Sequence, residues 1–397
     1  MTNKRIDILG LKTWGQLGNY LAAKKLGALL ETALPDCDVR VHAGEQYWPI
    51  LADFGAGMAR AVVESTTPDE VAARYGEVIE RVSRWLPPEA EESPEHWRRP
   101  DLAAPALARR SAHLIIAVKG ILSRLVYATT RTWARPPLVV NYVTNHGLLE
   151  LPIHRSVVPD LQLVPLKQSR ALLERHGVAG ERIHVVGAIS ALRTAQPIVV
   201  AEPTPAERGD GRPRVVVFSN RGSEALYLGA LELLARHPSR PEVLFIAYGD
   251  AELAAKAEAL AQRAGVRDWV VRDRLEQEAF LATLARFARF PAAFVVTKSG
   301  PNTMFEAARM GLPLLVHRSG LPMEDWVREF IREHQLGHFA AGPDATIETL
   351  RRWLDDLATV VRRKQQLATF SAERLDDDPM PRIVSCIGSA LAATAVD

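Results

Sequence analysis

Lys298, Ser299, Thr303 and Glu306 are the residues of this chain whose types and spacing best suit joint chemistry. They lie in the stretch TKSGPNTMFEAARMGLP, Thr297 to Pro313, behind the apolar β-rich run AAFVV. Such a run predicts a strand buried on both faces, and Gly300 then permits a turn. Pro301 fits the first position of a helix, where its missing N–H would be unpaired anyway. A helix N-terminus offers free backbone N–H groups and partial positive charge, which suit a phosphate. The hydroxyls of Ser299 and Thr303, the ammonium of Lys298 and the amide of Asn302 would gather at that point. Glu306 lies further along, its Cβ tilted back toward the helix start, where a carboxylate could accept two hydrogen bonds from a ribose diol. Phosphate donors with a diol acceptor describe a nucleotide site. On spacing alone the same turn also serves purely structural ends in α/β proteins, and Glu306 could equally be a surface residue.

The register resembles the donor-binding motif of GT-B glycosyltransferases, especially the peptidoglycan N-acetylglucosaminyltransferase and the monogalactosyldiacylglycerol synthases. In those families a Ser-Gly-x-x-Thr-x-x-Glu run holds the diphosphate and ribose of a UDP-sugar. Ser299, Gly300, Thr303 and Glu306 match it without a gap. The likeness continues through Gly311 and Pro313 to Met323-Glu324, where the galactolipid enzymes carry Gln-Glu. It covers most of the second half clearly and the first half faintly. The fold it implies is α/β of GT-B type, two Rossmann-like domains whose parallel sheets face an interdomain cleft. The activity it implies is inverting transfer of a hexose from a UDP-sugar. Glu324 would then bind sugar hydroxyls, although an acid there could also cap a helix. Asn220-Arg221-Gly222-Ser223 stands where the peptidoglycan enzyme has Gly-Gly-Ser-Gln-Gly, and Arg221 could neutralise diphosphate or simply be solvated. Arg274-Leu275 stands where that enzyme contacts uracil through backbone groups. Two rivals share the resemblance: a UDP-sugar 2-epimerase of GT-B fold, and a non-catalytic GT-B partner subunit.

The first half departs from the family. Relatives carry a Gly-Gly-Gly-His or Gly-Gly-His loop after the first strand, whose histidine is a candidate base. This chain has Thr13-Trp14-Gly15-Gln16-Leu17-Gly18-Asn19, with Leu17 near the histidine position. Gly15, Gln16 and Asn19 are therefore acceptor-side candidates, together with Asn145 and His154. VTNHG resembles the Val-Thr-Asp segment of the galactolipid enzymes, and His146 follows a buried strand's end, so His146 is the preferred base. A lone histidine there could also be structural. The resemblance allows a small-molecule, carrier-protein-bound or lipid acceptor. With no loop histidine to take an alcohol's proton, a small molecule or carrier-bound group of specialised metabolism is favoured, an aromatic amine included. Lys119, Arg124, Arg131 and Arg135, with Tyr127 and Trp133, read as a solvated face over a buried stripe. In lipid-using relatives this region approaches membrane, so peripheral membrane contact is a further expectation. The acidic runs Asp355-Asp356 and Asp376 to Asp378 fall away from strand ends. No metal and no resident cofactor are expected, the UDP-sugar being a co-substrate.

Strands alternating with helices must position these residues. RIDILG, CDVRVHAG, HLIIAV, PLVVNYVTN, LQLVPL and RIHVVG are strand-like in the first half, then RVVVFS, EVLFIAYG, DWVVRD, AFVVTK and PLLVH; alternation with helical patterns predicts parallel sheets. The 397 residues exceed what one core usually serves, and 47 % apolar content suffices for two. The proline- and charge-rich run from Ala191 to Pro213 marks the connection. Three segments result: residues 1–195 as an acceptor domain, 209–372 as a donor domain, and 373–397 as a tail helix that could pack back on the first domain. Amphipathic helices are expected from about Ile347 and around Ile383 to Ala393. A formal charge of +2 is too small to imply nucleic acid. Cys37 and Cys386 imply neither a disulfide framework nor a zinc site. With no signal-like N-terminus and no run of ~18 apolar residues, the expected location is the cytoplasm.

Overall fold

The computed structural model of this protein describes residues 4–13, 18–86, 104–131, 133–187, 211–220, 222–374 and 379–393. Runs such as LIIA, RVVVF and AFVVTK are apolar on both sides of the strand, so they need helices on both faces of their sheet. Six of them form one parallel sheet: β1 (Lys4–Gly10), β2 (Cys37–Ala43), β3 (Leu114–Ala117), β4 (Leu138–Tyr142), β5 (Leu161–Val164) and β6 (Ile183–Val185). Six more form a second: β7 (Arg214–Phe218), β8 (Glu242–Ile246), β9 (Trp269–Arg272), β10 (Ala293–Lys298), β11 (Leu314–His317) and β12 (Gly337–Ala340). Their spatial orders are β2-β1-β3-β4-β5-β6 and β12-β11-β10-β7-β8-β9. Every pairing is parallel, with registers such as Ile6 opposite Val39 and Val296 opposite Val217. The α/β class and the two parallel sheets agree with the sequence reading.

The chain divides into two compact units. One comprises Met1–Val62, Ala73–Leu192 and Asp378–Asp397; the other comprises Val63–Ala72 and Arg193–Asp377. The core of the first gathers Ile6, Ile8, Leu26, Ile116 and Tyr142, and the helix Met380–Ala393 adds Met380, Ile383, Ile387 and Leu391 to it. The core of the second gathers Val215, Phe245, Phe294 and Leu315 with Tyr227 and Trp353. Phe294 and Trp353 meet edge to face at 5.2 Å between ring centroids, a preferred aromatic geometry.

Three local expectations differ from the structure. β12 has no strand-like run because GHFA is a partly exposed edge strand carrying glycine and histidine. The helix expected from Ile347 begins at Pro343, proline again serving the first turn, one turn before its apolar periodicity becomes visible. The helix Gly120–Thr130 is not a solvated face over a stripe: nearly all its residues are buried, Arg124 among them, and Lys119 before it is buried too. Arg131 instead stacks on Tyr127 at 3.9 Å and pairs with Asp160 at 3.0 Å. Lys119 and Arg124 are thus enclosed, whereas Arg131 and Arg135 are exposed. Among the described residues, no helix is long and apolar enough to cross a bilayer.

Candidate functional site

In a doubly wound sheet, ligands bind beyond the carboxyl ends of the strands where the strand order reverses. In the second sheet the reversal lies between β7 and β10. The segments leaving those two strands are Ser219–Ser223 and Ser299–Thr303, the two stretches singled out by sequence. Topology therefore brings them together, and β11 on the far side of β10 adds the segment from His317 to Glu324.

β10 ends at Lys298, Gly300 takes an extended N-cap conformation, and Pro301 opens the helix Pro301–Arg309. Asn302 is exposed and Thr303 half-exposed in its first turn, whereas Glu306 is only 9 % exposed. The Ser299 hydroxyl is buried and bonded within the protein: it donates to Ser319 Oγ at 3.2 Å and accepts from the Ser319 N–H at 3.2 Å. Ser299 thus ties the turn after β10 to the turn after β11.

Lys298 and Glu324 form an ion pair at 2.6 Å across the same two turns. Glu324 belongs to the helical turn Pro322–Glu324 and is 7 % exposed, with Met323 buried beside it. One carboxylate oxygen, Oε1, takes the lysine. Among the described residues the other, Oε2, is buried and makes no hydrogen bond. A buried carboxylate oxygen is costly to leave without a donor. That oxygen is chemically able to accept a hydroxyl or amide proton.

Below these residues runs a polar chain that sequence reading missed. Tyr227, on the helix Glu224–Arg236, directs its hydroxyl at Asn220 Oδ1 (2.6 Å) and His317 Nε2 (2.7 Å). His317 Nδ1 lies 3.0 Å from the Arg318 carbonyl. A carbonyl only accepts, so Nδ1 carries the proton of the neutral ring; Asn220 Oδ1 and Nε2 are then two acceptors facing the single tyrosine proton, which goes to one of them at a time. Burial, reinforced by the charge of Lys298, lowers the His317 pKa to about 4, although the Arg318 carbonyl opposes the shift; the ring is neutral at physiological pH. Burial also raises the Tyr227 pKa well above its usual value, and the charge of Glu324 adds to the shift. The signal for this chain was a histidine ending a buried strand in PLLVH; nothing local indicated its tyrosine partner.

Of the remaining donor-side candidates, Gly222 and Ser223 follow β7, and Arg274 and Leu275 follow the edge strand β9. Gly222 has a φ of +81°, a left-handed conformation suited to glycine. Ser223 precedes the helix Glu224–Arg236 without a side-chain capping bond. Arg274 is exposed, Leu275 partly so, and a Cβ on Gly249 would stand 2.6 Å from the Arg274 guanidinium. Arg221 lies outside the described residues.

The first unit carries the other candidates. Asn145 caps the turn His146–Glu150 by accepting from the Gly147 N–H at 3.0 Å. His146 Nδ1 lies 3.0 Å from Ser169 Oγ, and Nε2 lies 3.8 Å from Glu150 Oε1. Burial first, then the charge of Arg175, lowers its pKa to about 4. His154 is 1 % exposed, and burial with the charges of Lys119 and Arg124 holds its pKa well below normal. Its backbone is also pressed against Gly120, where a Cβ would come within 1.6 Å of the His154 carbonyl oxygen. Asn19 accepts from Thr144 Oγ1 at 3.4 Å. Gly15 and Gln16 lie outside the described residues. Among the described residues, no cluster of His, Cys, Asp and Glu is arranged to hold a metal ion.

Two six-stranded parallel sheets of this order, in two units, define the GT-B fold, and solved structures of that fold match the chain throughout. UDP-GlcNAc 2-epimerase from Neisseria meningitidis, bound to UDP-GlcNAc, has a TM-score of 0.57 at 11 % identity, covering 97 % of this chain and 100 % of its own. Sucrose-phosphate synthase from Thermosynechococcus elongatus has 0.55 at 14 %, covering 98 % and 100 %. The glycosyltransferase of kitacinnamycin has 0.57 at 15 %, covering 98 % and 100 %. At these identities the likeness shows the fold. No protein-family description matches the chain, and no curated protein sequence does.

Proposed function

We propose that this protein is a glycosyltransferase that uses a nucleotide sugar, UDP-linked, and inverts the anomeric centre. The observation that carries the reading is Glu324 Oε2, a buried carboxylate oxygen without a hydrogen-bond partner among the described residues, beside a helix N-terminus at the strand-order reversal. In this reading the first turn of the helix Pro301–Arg309 and Lys298 hold the donor's diphosphate, Glu306 its ribose and Glu324 its sugar. Oriented N–H groups and an ammonium stabilise charge developing on a leaving diphosphate without needing a metal. The second unit is then the donor domain, the first unit supplies the acceptor side, and His146 is the proposed base. The acceptor is a small molecule or a carrier-bound group.

The experiment is a panel of nucleotide sugars incubated with the protein in excess EDTA, with and without a mixture of alcohol and amine acceptors, followed by mass spectrometry. The expected result is binding of a UDP-sugar and release of UDP only when an acceptor is present. Epimerised UDP-sugar without any acceptor would instead establish the second reading, a 2-epimerase, which the likeness to the Neisseria enzyme supports. UDP-sugar binding without turnover would indicate a non-catalytic partner subunit. Failure to bind any nucleotide sugar would overturn the proposal, and activity restored only by manganese or magnesium would overturn its metal-free mechanism.

A further inference from the structure

The Lys298–Glu324 pair sits on two different turns and leaves one charge incompletely matched. Lys298 closes β10, and its side chain folds back over Gly300: a Cβ built on that glycine would lie 3.4 Å from the lysine Cε. The ammonium therefore stands by the start of the helix Pro301–Arg309, while reaching Glu324 Oε1 at 2.6 Å. The lysine side chain keeps 23 % of its exposure and the glutamate only 9 %. The cation is the more exposed partner; the carboxylate is the more enclosed, with Oε2 buried and lacking a hydrogen-bond partner among the described residues. A diphosphate at the helix N-terminus would compete with the carboxylate for the same ammonium. Glu324 is too enclosed to satisfy itself with bulk water once the lysine leaves, and a buried carboxylate losing its partner is strongly penalised.

We propose that this pair is a binding-coupled switch: a ligand's diphosphate draws Lys298 away from Glu324, and the released carboxylate takes the hydroxyls of the attached sugar. The inference rests on the nucleotide-sugar reading and deepens it. Nucleoside diphosphate alone must break the ion pair and leaves Glu324 unmatched. A nucleotide sugar breaks the same pair and replaces it. The pair thereby selects intact donor over spent nucleotide, which favours product release.

The switch makes an unusual demand on Glu324→Gln. An amide holds Lys298 less strongly than a carboxylate, so this variant should bind UDP more tightly than the wild type, by ~3–10-fold, as for loss of a competing, partly screened ion pair. The same variant should bind the UDP-sugar identified above less tightly, so the preference for UDP-sugar over UDP collapses. Lys298→Met should weaken both ligands, and Lys298→Arg should restore most UDP affinity. Calorimetric titrations of the full chain with UDP, UDP-sugar and inorganic pyrophosphate provide the measurement, with thermal melts confirming that each variant is folded. UDP affinity unchanged or weakened in folded Glu324→Gln would overturn the switch while leaving the nucleotide-sugar reading intact. If the wild type binds no UDP or UDP-sugar but pyrophosphate binding still tightens in Glu324→Gln, the nucleotide reading falls and the lysine exchange stands. Absence of all three ligands from the wild type would overturn both.

Discussion

The residue proposed as base sets its own pH signature. His146 is a neutral imidazole whose pKa burial and Arg175 lower to about 4, and Ser169 fixes one of its ring nitrogens. A base with that pKa accepts protons weakly at neutral pH, yet it is ready to act across the whole neutral range. The acid limb of kcat/KM for transfer to an alcohol should therefore fall near pH 4, not near 6.5. His146→Ala should lower turnover by ~10²–10⁴ with donor affinity unchanged. Near-normal turnover in that variant would remove His146 from the chemistry and favour an amine acceptor, which attacks through its lone pair and loses its proton later. Residue-level reading of the sequence reached Lys298, Ser299, Thr303 and Glu306 because each lies within a turn or two of the end of β10, and Glu324 through the likeness that continues past β11. It did not reach Tyr227, His317 and Ser319, whose roles depend on partners brought together only by sheet order. Ser299 also shows that register says less than geometry about a side chain's duty: its hydroxyl is committed to Ser319.

At the scale of elements, the strands and most helices were legible because both sheets are covered on two faces, which leaves continuous apolar runs. The exceptions are instructive. GHFA lies at a sheet edge, so burial imposes no apolar run on it. The helix Gly120–Thr130 looked amphipathic because lysine and arginine usually mark solvent, but here their stems and heads are both enclosed. That burial constrains the glycine at its first position. Gly120→Ala would drive a methyl into the His154 carbonyl, at 1.6 Å before relaxation. The expected result is loss of the first unit's cooperative melting, since backbone must shift to admit the methyl. Gly76→Ala, at an exposed position where a Cβ meets nothing within 4 Å, is the control and should instead stabilise the helix Pro68–Trp85 by about 0.5–1 kcal/mol. Equal melting temperatures for the two variants, read by circular dichroism, would contradict the close packing at Gly120.

For the whole molecule, buried neutral histidines predict an acid weakness in both units. His317 in the second unit and His146 in the first each have a folded pKa of about 4, below an unfolded value near 6.5. Their contribution is fully present above pH ~6.5 and is lost as pH falls through the folded value, about 3 kcal/mol at most for each. Urea midpoints should thus fall between pH 7 and pH 4.5, and His317→Asn should reduce the fall in the second unit. Midpoints that do not change over that range would show that these rings are not held neutral. The other whole-molecule feature is the return of the helix Met380–Ala393 to the core built around β1 and its neighbours. During synthesis on a ribosome the first unit emerges first, yet four of its core side chains follow the second unit in the chain. The second unit can complete its sheet while the earlier one still lacks a wall. The first unit can therefore complete its core only after the strands of the second have been made. A nascent chain stalled before Met380 would expose the apolar groove that this helix fills, giving chaperones a defined, temporary place to hold it.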